Sequence, residues 1–173
     1  GLEGAFRVGQ RVAVAGAGLA NHAELNLVPR NLAAPVPDGV ADEEACFGTL
    51  AAIAMHGVRN LQVGLGDVVA VLGVGLLGQI STQLLALAGA RVGALDSDPA
   101  RLARAASLGA EATVDLGSGD PAAAVAAWAG RGCDAVLVAA ATQSSEPFHT
   151  AAAIARDRAR VVMVGMTGTE FPY

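Results

Sequence analysis

The residues Val68-Val69-Ala70-Val71-Leu72 form an unbroken apolar run that leads straight into Gly73-Val74-Gly75-Leu76-Leu77-Gly78. A short apolar run bounded by a glycine turn fits a strand buried on both faces, as in a parallel sheet covered by helices on both sides. The glycines have the spacing G-x-G-x-x-G, and Asp96 stands 18 residues beyond Gly78, at the end of a second apolar run, Val92-Gly93-Ala94-Leu95. Strand, glycine turn, helix and downstream acid together make the dinucleotide fingerprint. In that reading Gly73 permits the tight turn, Gly75 lets backbone approach a pyrophosphate, and Gly78 lets the helix pack on the strand. The helix that opens at Leu76 and Leu77 offers free N–H groups and partial positive charge to phosphate. Asp96 accepts hydrogen bonds from the adenosine ribose. A glycine turn with no ligand is the competing reading. In a chain with 22 glycines the spacing alone does not exclude it, and the flanking strand, helix and acid are what favour the nucleotide.

The rest of the chain repeats the same unit. Helices are expected over 76–88, 98–108, 120–130 and 145–154, and strands over 68–72, 91–95, 112–114, 134–138 and 160–164. Asp98-Pro99 and Asp120-Pro121 read as caps with proline in the first turn. Alternating strands and helices with short turns predict an α/β, doubly wound parallel sheet of the Rossmann type, five strands in the order 3-2-1-4-5. Residues 1–40 differ. Alternation in Val8–Gly16 and Asn21–Pro29 suggests strands, and Pro29, Pro35 and Pro37 mark a linker-like stretch. Asp42-Glu43-Glu44 opens a helix expected to run to Arg59, with Phe47, Leu50, Ala51, Ala54 and Val58 at helical spacing. Two domains follow: 1–40, and 41–173 including the linking helix 42–59.

Charge and cysteine content exclude several functions. The net charge of −5, with no basic cluster, disfavours a nucleic-acid partner. All 11 basic residues are Arg, so there is no Walker-type lysine, Schiff base or lysine general base. No apolar run reaches the length of a membrane span, and Cys46 and Cys133 form no C-x-x-C pair. A reduced, cytoplasmic setting is the expectation.

Several stretches in order along the chain resemble the medium-chain dehydrogenase/reductase family, which includes zinc-binding alcohol and polyol dehydrogenases. They are Phe6–Val12, Asn21–Glu24 through Val28-Pro29, Pro35–Gly39, the glycine fingerprint, Ala106–Ala110 and Ala159–Gly165. The likeness extends to the dehydrogenase-like half of bacterial two-domain oxidoreductases. The resemblance implies that residues 1–40 are the tail of a GroES-like catalytic domain, and that the chain is truncated at both ends. It implies hydride transfer between a nicotinamide and an alcohol or carbonyl substrate in the full enzyme, which would be a homo-oligomer. The fragment itself is expected to bind NAD weakly and to turn over no substrate.

Asp96 favours the 2′-hydroxyl of NAD and repels the 2′-phosphate of NADP. Arg101 either stacks on adenine or reaches a phosphate, or is a solvated helix arginine. Ser97 borders the same turn, although with Asp98 it suits the turn and the helix cap better. Ala139 and Ala140, with Ala141 and Thr142, end the fourth strand where ligands bind in such sheets. Val164 and Gly165 occupy the same edge and face the nicotinamide, or are ordinary strand ends. The resemblance does not supply zinc ligands. The family's early Cys and His-Glu pair would precede Gly1, and the slot on the linking helix falls at Gly48 or Thr49. Cys46 misses that slot and reads as a buried small hydrophobe. Zinc use therefore stays open and the metal and catalytic residues unassigned. His22 reads as packed, His56 as a residue of the linking helix, and Trp128 as a packing anchor. The alternatives are a zinc-free quinone or enoyl reductase of the same superfamily, which Asp96 counts against, and a non-catalytic NAD-binding module, which the β segment at 1–40 counts against.

Overall fold

The computed structural model describes residues 6–166. The chain divides into two compact units between Ala52 and Ile53, and the division falls inside a helix. In the first unit β1 (Val12–Val14) pairs antiparallel with β2 (Ala33–Pro35), Val12 opposite Pro35. The alternating stretch 21–29 is not a strand. Leu25 and Leu27 are both more than 90 % exposed. Two asparagines close a loop instead: Asn21 N–H donates to Asn26 Oδ1 at 2.9 Å, and Asn26 Nδ2 donates back to the Asn21 carbonyl at 3.1 Å. Such local side-chain bonds compete with a ladder, whereas β2 lies in the stretch read as a linker.

The helix expected over 42–59 is two helices, α1 (Asp42–Ala45) and α2 (Gly48–Leu61). Three acids fill the first turn of α1, and the Glu44 carboxylate accepts the Ala41 N–H at 3.1 Å. At its end Phe47 N–H reaches back only three residues, to the Glu44 carbonyl at 3.2 Å. The backbone tightens there, next to a glycine of poor helix propensity, and restarts. Phe47 therefore lies outside both helices and is exposed.

The second unit is the five-stranded parallel sheet. Its strands are β3 (Val68–Leu72), β4 (Arg91–Asp96), β5 (Ala112–Asp115), β6 (Cys133–Val138) and β7 (Ala155–Met163). The connecting helices are α3 (Leu76–Leu87), α4 (Pro99–Ser107), α5 (Pro121–Ala129) and α6 (Glu146–Ile154). The spatial order β5-β4-β3-β6-β7 is the expected 3-2-1-4-5 counted from β3. Every residue of β3 is buried, and its side chains alternate between two cores. Val69 and Val71 pack with Leu85, Leu102 and Leu137 on one side. Val68, Ala70 and Leu72 pack with Val125, Val136 and Ile154 on the other. Each large side chain buried this way contributes about 1.5–3 kcal/mol, which fixes β3 as the central strand. β7 begins five residues before the expected start at Arg160. The buried Ile154 ends α6, and the chain enters the sheet at once. The extra residues form an irregularity between Cys133 and Ala135, with Arg158 in the left-handed region at φ 65°.

At the amino ends of the strands the Asp134 side chain is 9 % exposed. Its Oδ2 accepts the Val68 N–H at 2.8 Å, and its Oδ1 faces Arg156 and Arg131. Burial alone would raise this carboxyl. The Val68 N–H and the two guanidinium groups outweigh that effect and hold it below the ordinary carboxylate range. Among the described residues no helix is long and apolar enough to cross a membrane.

Candidate cofactor site

The site lies at the carboxyl ends of β3, β4 and β6, where parallel sheets of this kind open a crevice. β3 ends at Leu72, whose carbonyl accepts the N–H groups of Ala139 and Ala140 at 2.8 and 3.1 Å. Gly73 then turns the chain with φ +86°, and its N–H donates to the Leu95 carbonyl at 2.8 Å. A Cβ there would lie 2.6 Å from the Ala140 nitrogen, so the turn requires glycine. A Cβ on Gly78 would strike the Gly73 carbonyl, which is the close approach of helix to strand. Gly75 is different. Its φ of −67° suits any residue, and no heavy atom lies within 4 Å of the Cβ position. Two glycines of the fingerprint are thus demanded by the chain's own packing, and the third leaves space.

Asp96 ends β4 with its side chain 8 % exposed. Its Oδ2 accepts the Val74 N–H at 2.8 Å and its Oδ1 accepts the Asp98 N–H at 3.0 Å. The acid and the glycine turn, 22 residues apart in sequence, are therefore one hydrogen-bonded unit. Asp98 caps α4 by accepting the Ala100 N–H at 2.8 Å, as its place before Pro99 suggests. Arg101 on α4 is more than half exposed. Its Nη1 lies 3.8 Å from Asp96 Oδ2 and its Nε 3.4 Å from Asp98 Oδ2. Neither carboxylate neutralises it fully.

These groups border a cavity of about 610 Å³. Gly73, Gly75, Leu76 and Leu77 line it from the turn and the start of α3, and Asp96, Ser97 and Arg101 from β4 and α4. Ala139, Ala140, Ala141 and Thr142 line it from the end of β6. Gly78 stays outside because it packs inward on the turn, and Val164 and Gly165 are outside as well. The N–H groups of those last two both donate to the Val138 carbonyl, at 2.9 and 3.0 Å, and brace the Ala139–Thr142 edge from behind. Sequence reasoning missed Leu116 after β5 and Ser144, Glu146, Pro147 and Thr150 around the start of α6. The signal for the last group was present: Pro147 next to an acid and two serines marks a helix start, and that start has to lie on the same edge as the end of β6.

Other candidates fall elsewhere. Cys46 is exposed, not buried, because α1 stops at Ala45 and leaves it in the turn, where its Sγ donates to the Glu43 carbonyl at 3.1 Å. His22 is exposed too, in the loop closed by Asn21 and Asn26, and not packed. Both line a second cavity of about 470 Å³ within the first unit. His56 is exposed on α2, 3.0 Å from Asn60 Nδ2. Burial first, and then the neighbouring Asp134 charge, push the Cys133 thiol up to about 12, so it is no nucleophile. Among the described residues no three of His, Cys, Asp and Glu stand where they could hold a metal ion.

A family model described as zinc-binding dehydrogenase matches residues 77–173. The chain belongs to the zinc-binding dehydrogenase family. This zinc-binding dehydrogenase chain is 35 % identical over 149 residues to a probable alcohol dehydrogenase of Mycobacterium tuberculosis, over 82 % of this chain and 40 % of the relative. The chain therefore spans about 40 % of the length of the curated relatives it matches. Among solved structures it is similar to the alcohol dehydrogenase TADH from Thermus sp. ATN1, with 30 % identity, TM-score 0.76, and 82 % of this chain and 42 % of that one covered. It is also similar to a candidate zinc-binding dehydrogenase of Sinorhizobium meliloti 1021 bound to NADP. That match has 30 % identity and TM-score 0.78, and covers 84 % of this chain and 43 % of the other. These matches place the dehydrogenase chain in the medium-chain dehydrogenase/reductase superfamily.

Proposed function

We propose that this chain is the dinucleotide-binding part of a medium-chain alcohol or polyol dehydrogenase, and that it prefers NAD. The observation that carries the reading is the Asp96–Val74 hydrogen bond beside an open Gly75, with Asp96 and Gly75 both lining one cavity. A buried carboxylate tied to the glycine turn is already oriented, and one of its faces remains toward ligand. The N–H groups at the start of α3 suit a pyrophosphate, and the small side chains of Ala139 to Ala141 leave room for a flat ring. When bound, the nicotinamide supplies hydride transfer to or from an alcohol or carbonyl carbon. The residues of this chain bind it, orient it and shield one face from water. The donors that stabilise a developing alkoxide belong to a catalytic domain, of which residues 1–40 are the remnant in this reading. The whole protein would be a cytoplasmic homo-oligomer, which a sedimentation measurement checks. Its zinc ligands, if it uses the metal, would also come from that domain.

Titrating the purified chain with NAD⁺ and NADP⁺ tests the cofactor assignment, with tighter binding of NAD⁺ as the expected result. Absence of binding to both would remove the reading. The chain alone is expected to oxidise no alcohol or polyol, and measurable turnover would move the catalytic groups into residues 1–173. A second reading, NADP use, draws on Arg101. Its guanidinium is only loosely engaged by Asp96 and Asp98, and a 2′-phosphate would find it on the cavity wall. A preference for NADP⁺ in the same titration would favour it.

A further inference from the structure

One polar side chain is buried behind the glycine turn with only half of its hydrogen-bonding capacity used. Gln79, on the second turn of α3, is 9 % exposed. Its Nε2 donates to the Val74 carbonyl at 2.9 Å and to the Arg101 carbonyl at 2.8 Å. Both neighbours are acceptors, so the amide nitrogen has to face them, and both of its N–H groups are used. Its Oε1 has no hydrogen-bond partner among the described residues. An aliphatic side chain would fill the same place but would leave the buried Val74 carbonyl without its donor.

The consequence lies one atom further on. The Val74 carbonyl and the Gly75 N–H belong to a single trans peptide, and in a planar trans peptide they point in opposite directions. Holding the carbonyl inward, against Gln79, turns the Gly75 N–H outward. That N–H has no acceptor among the described residues, and Gly75 borders the cavity. Nothing at Gly75 itself resists the reverse orientation, since glycine adopts positive φ readily and its Cβ position is empty. The preceding peptide is held by Asp96 through the Val74 N–H; among the described residues the following one is held by Gln79 alone. With that peptide reversed, a carbonyl oxygen would face the phosphates in place of a donor.

We infer that Gln79 is a positioning residue for the dinucleotide: by clamping the Val74 carbonyl it presents the Gly75 N–H to the pyrophosphate, and by holding the Arg101 carbonyl it keeps α4 in register with the turn. This rests on the nucleotide reading above. The test titrates the 173-residue chain, as wild type, Q79M and Q79E, with NAD⁺ and with adenosine, following binding by NMR. Q79M matches the volume and removes both donors. It is expected to stay folded and to melt about 2–8 °C below wild type. Its adenosine affinity stays within about twofold, and its NAD⁺ affinity falls about tenfold or more, because only NAD⁺ carries the pyrophosphate. Q79E sets a carboxylate against two carbonyls. Its NAD⁺ affinity is expected to recover as the pH falls from about 8 to about 5, where a buried carboxyl protonates and regains a donor, whereas wild type and Q79M stay flat. Equal NAD⁺ binding by wild type and Q79M, or equal loss of NAD⁺ and adenosine, overturns the inference and leaves the nucleotide reading standing. A wild-type chain that binds neither NAD⁺ nor NADP⁺ overturns both. Should Q79M not fold, the pH profile of Q79E decides, and a flat profile counts against the clamp.

Discussion

Asp96 and Asp134 stand at opposite ends of the same parallel sheet. Each accepts a backbone N–H at 2.8 Å from a residue flanking or starting β3, Val74 in one case and Val68 in the other. Their side chains are almost equally buried, at 8 and 9 % exposure. What surrounds them differs. Asp134 is closed off by Arg156 and Arg131, and its charge is spent inside the protein. Asp96 has a guanidinium only at 3.8 Å, itself mostly in solvent, and a cavity of about 610 Å³ alongside. Burial and a backbone donor make a carboxylate well placed. The partners it lacks are what make it available to a ligand.

The largest expected effect is at the closed end. Asp134→Ala leaves two arginines and the Val68 N–H without their acceptor and should cost about 3–5 kcal/mol, read as a fall of about 10 °C in the thermal midpoint. The same carboxyl has a depressed pKa in the fold. Its contribution is therefore complete above the unfolded value near 3.9 and is lost as the pH falls through the folded value below it. Denaturant titrations below about pH 4 should show that slope in wild type and a flatter one in Asp134→Asn. At the open end, Asp96→Asn sets an amide N–H against one of two backbone donors, so a stability loss of about 1–3 kcal/mol, smaller than that of Asp134→Ala, should accompany its effect on ligand. A loss of about 1.5–3 kcal/mol in NAD⁺ binding is expected from calorimetry, with NAD⁺ and NADP⁺ brought closer together. If Asp96→Asn lowers the melting temperature as much as Asp134→Ala, the contrast between the two ends is broken.

The glycines sharpen the comparison within the site. Gly78→Ala meets backbone and should destabilise the fold by about 1–3 kcal/mol. Gly75→Ala should change stability by less than about 0.5 kcal/mol, because the position is open, yet weaken NAD⁺ binding several-fold in the same titration. Arg101→Ala should likewise leave the fold nearly unchanged, with a shift of less than about 0.5 kcal/mol in the thermal or denaturant midpoint, since its ion pairs are long and solvated.

The parts of the molecule that were legible in the sequence are those where chemistry and local geometry leave one solution. A doubly buried strand, the G-x-G-x-x-G spacing and an acid at the end of the next strand placed the turn, the sheet order and many of the residues that border the cavity in advance. Alternation failed where no neighbour enforced it, as in residues 21–29, where Asn21 and Asn26 bond to each other's backbone instead. Helical spacing carried across Cys46 and Phe47 although the backbone tightens there, because a break of that kind leaves the apolar pattern intact. The rim contributed by Ser144, Glu146, Pro147 and Thr150 had a local signal in Pro147 beside an acid and two serines, but that signal marks only a helix start and becomes a site only once the sheet places that start at the end of β6.

The irregular start of β7 bears on a different matter, the behaviour of the chain at high concentration. β7 is the last strand of the sheet, and among the described residues nothing pairs with its outer side. A long flat edge of that kind recruits other strands and seeds aggregates. Here it begins Ala155-Arg156-Asp157-Arg158-Ala159-Arg160, with charge at four of six positions and a left-handed kink at Arg158. A second strand laid along that half would meet a bent backbone and the charged side chains of Asp157 and Arg158, so the feature that displaced the strand's expected beginning also guards the open border of the sheet.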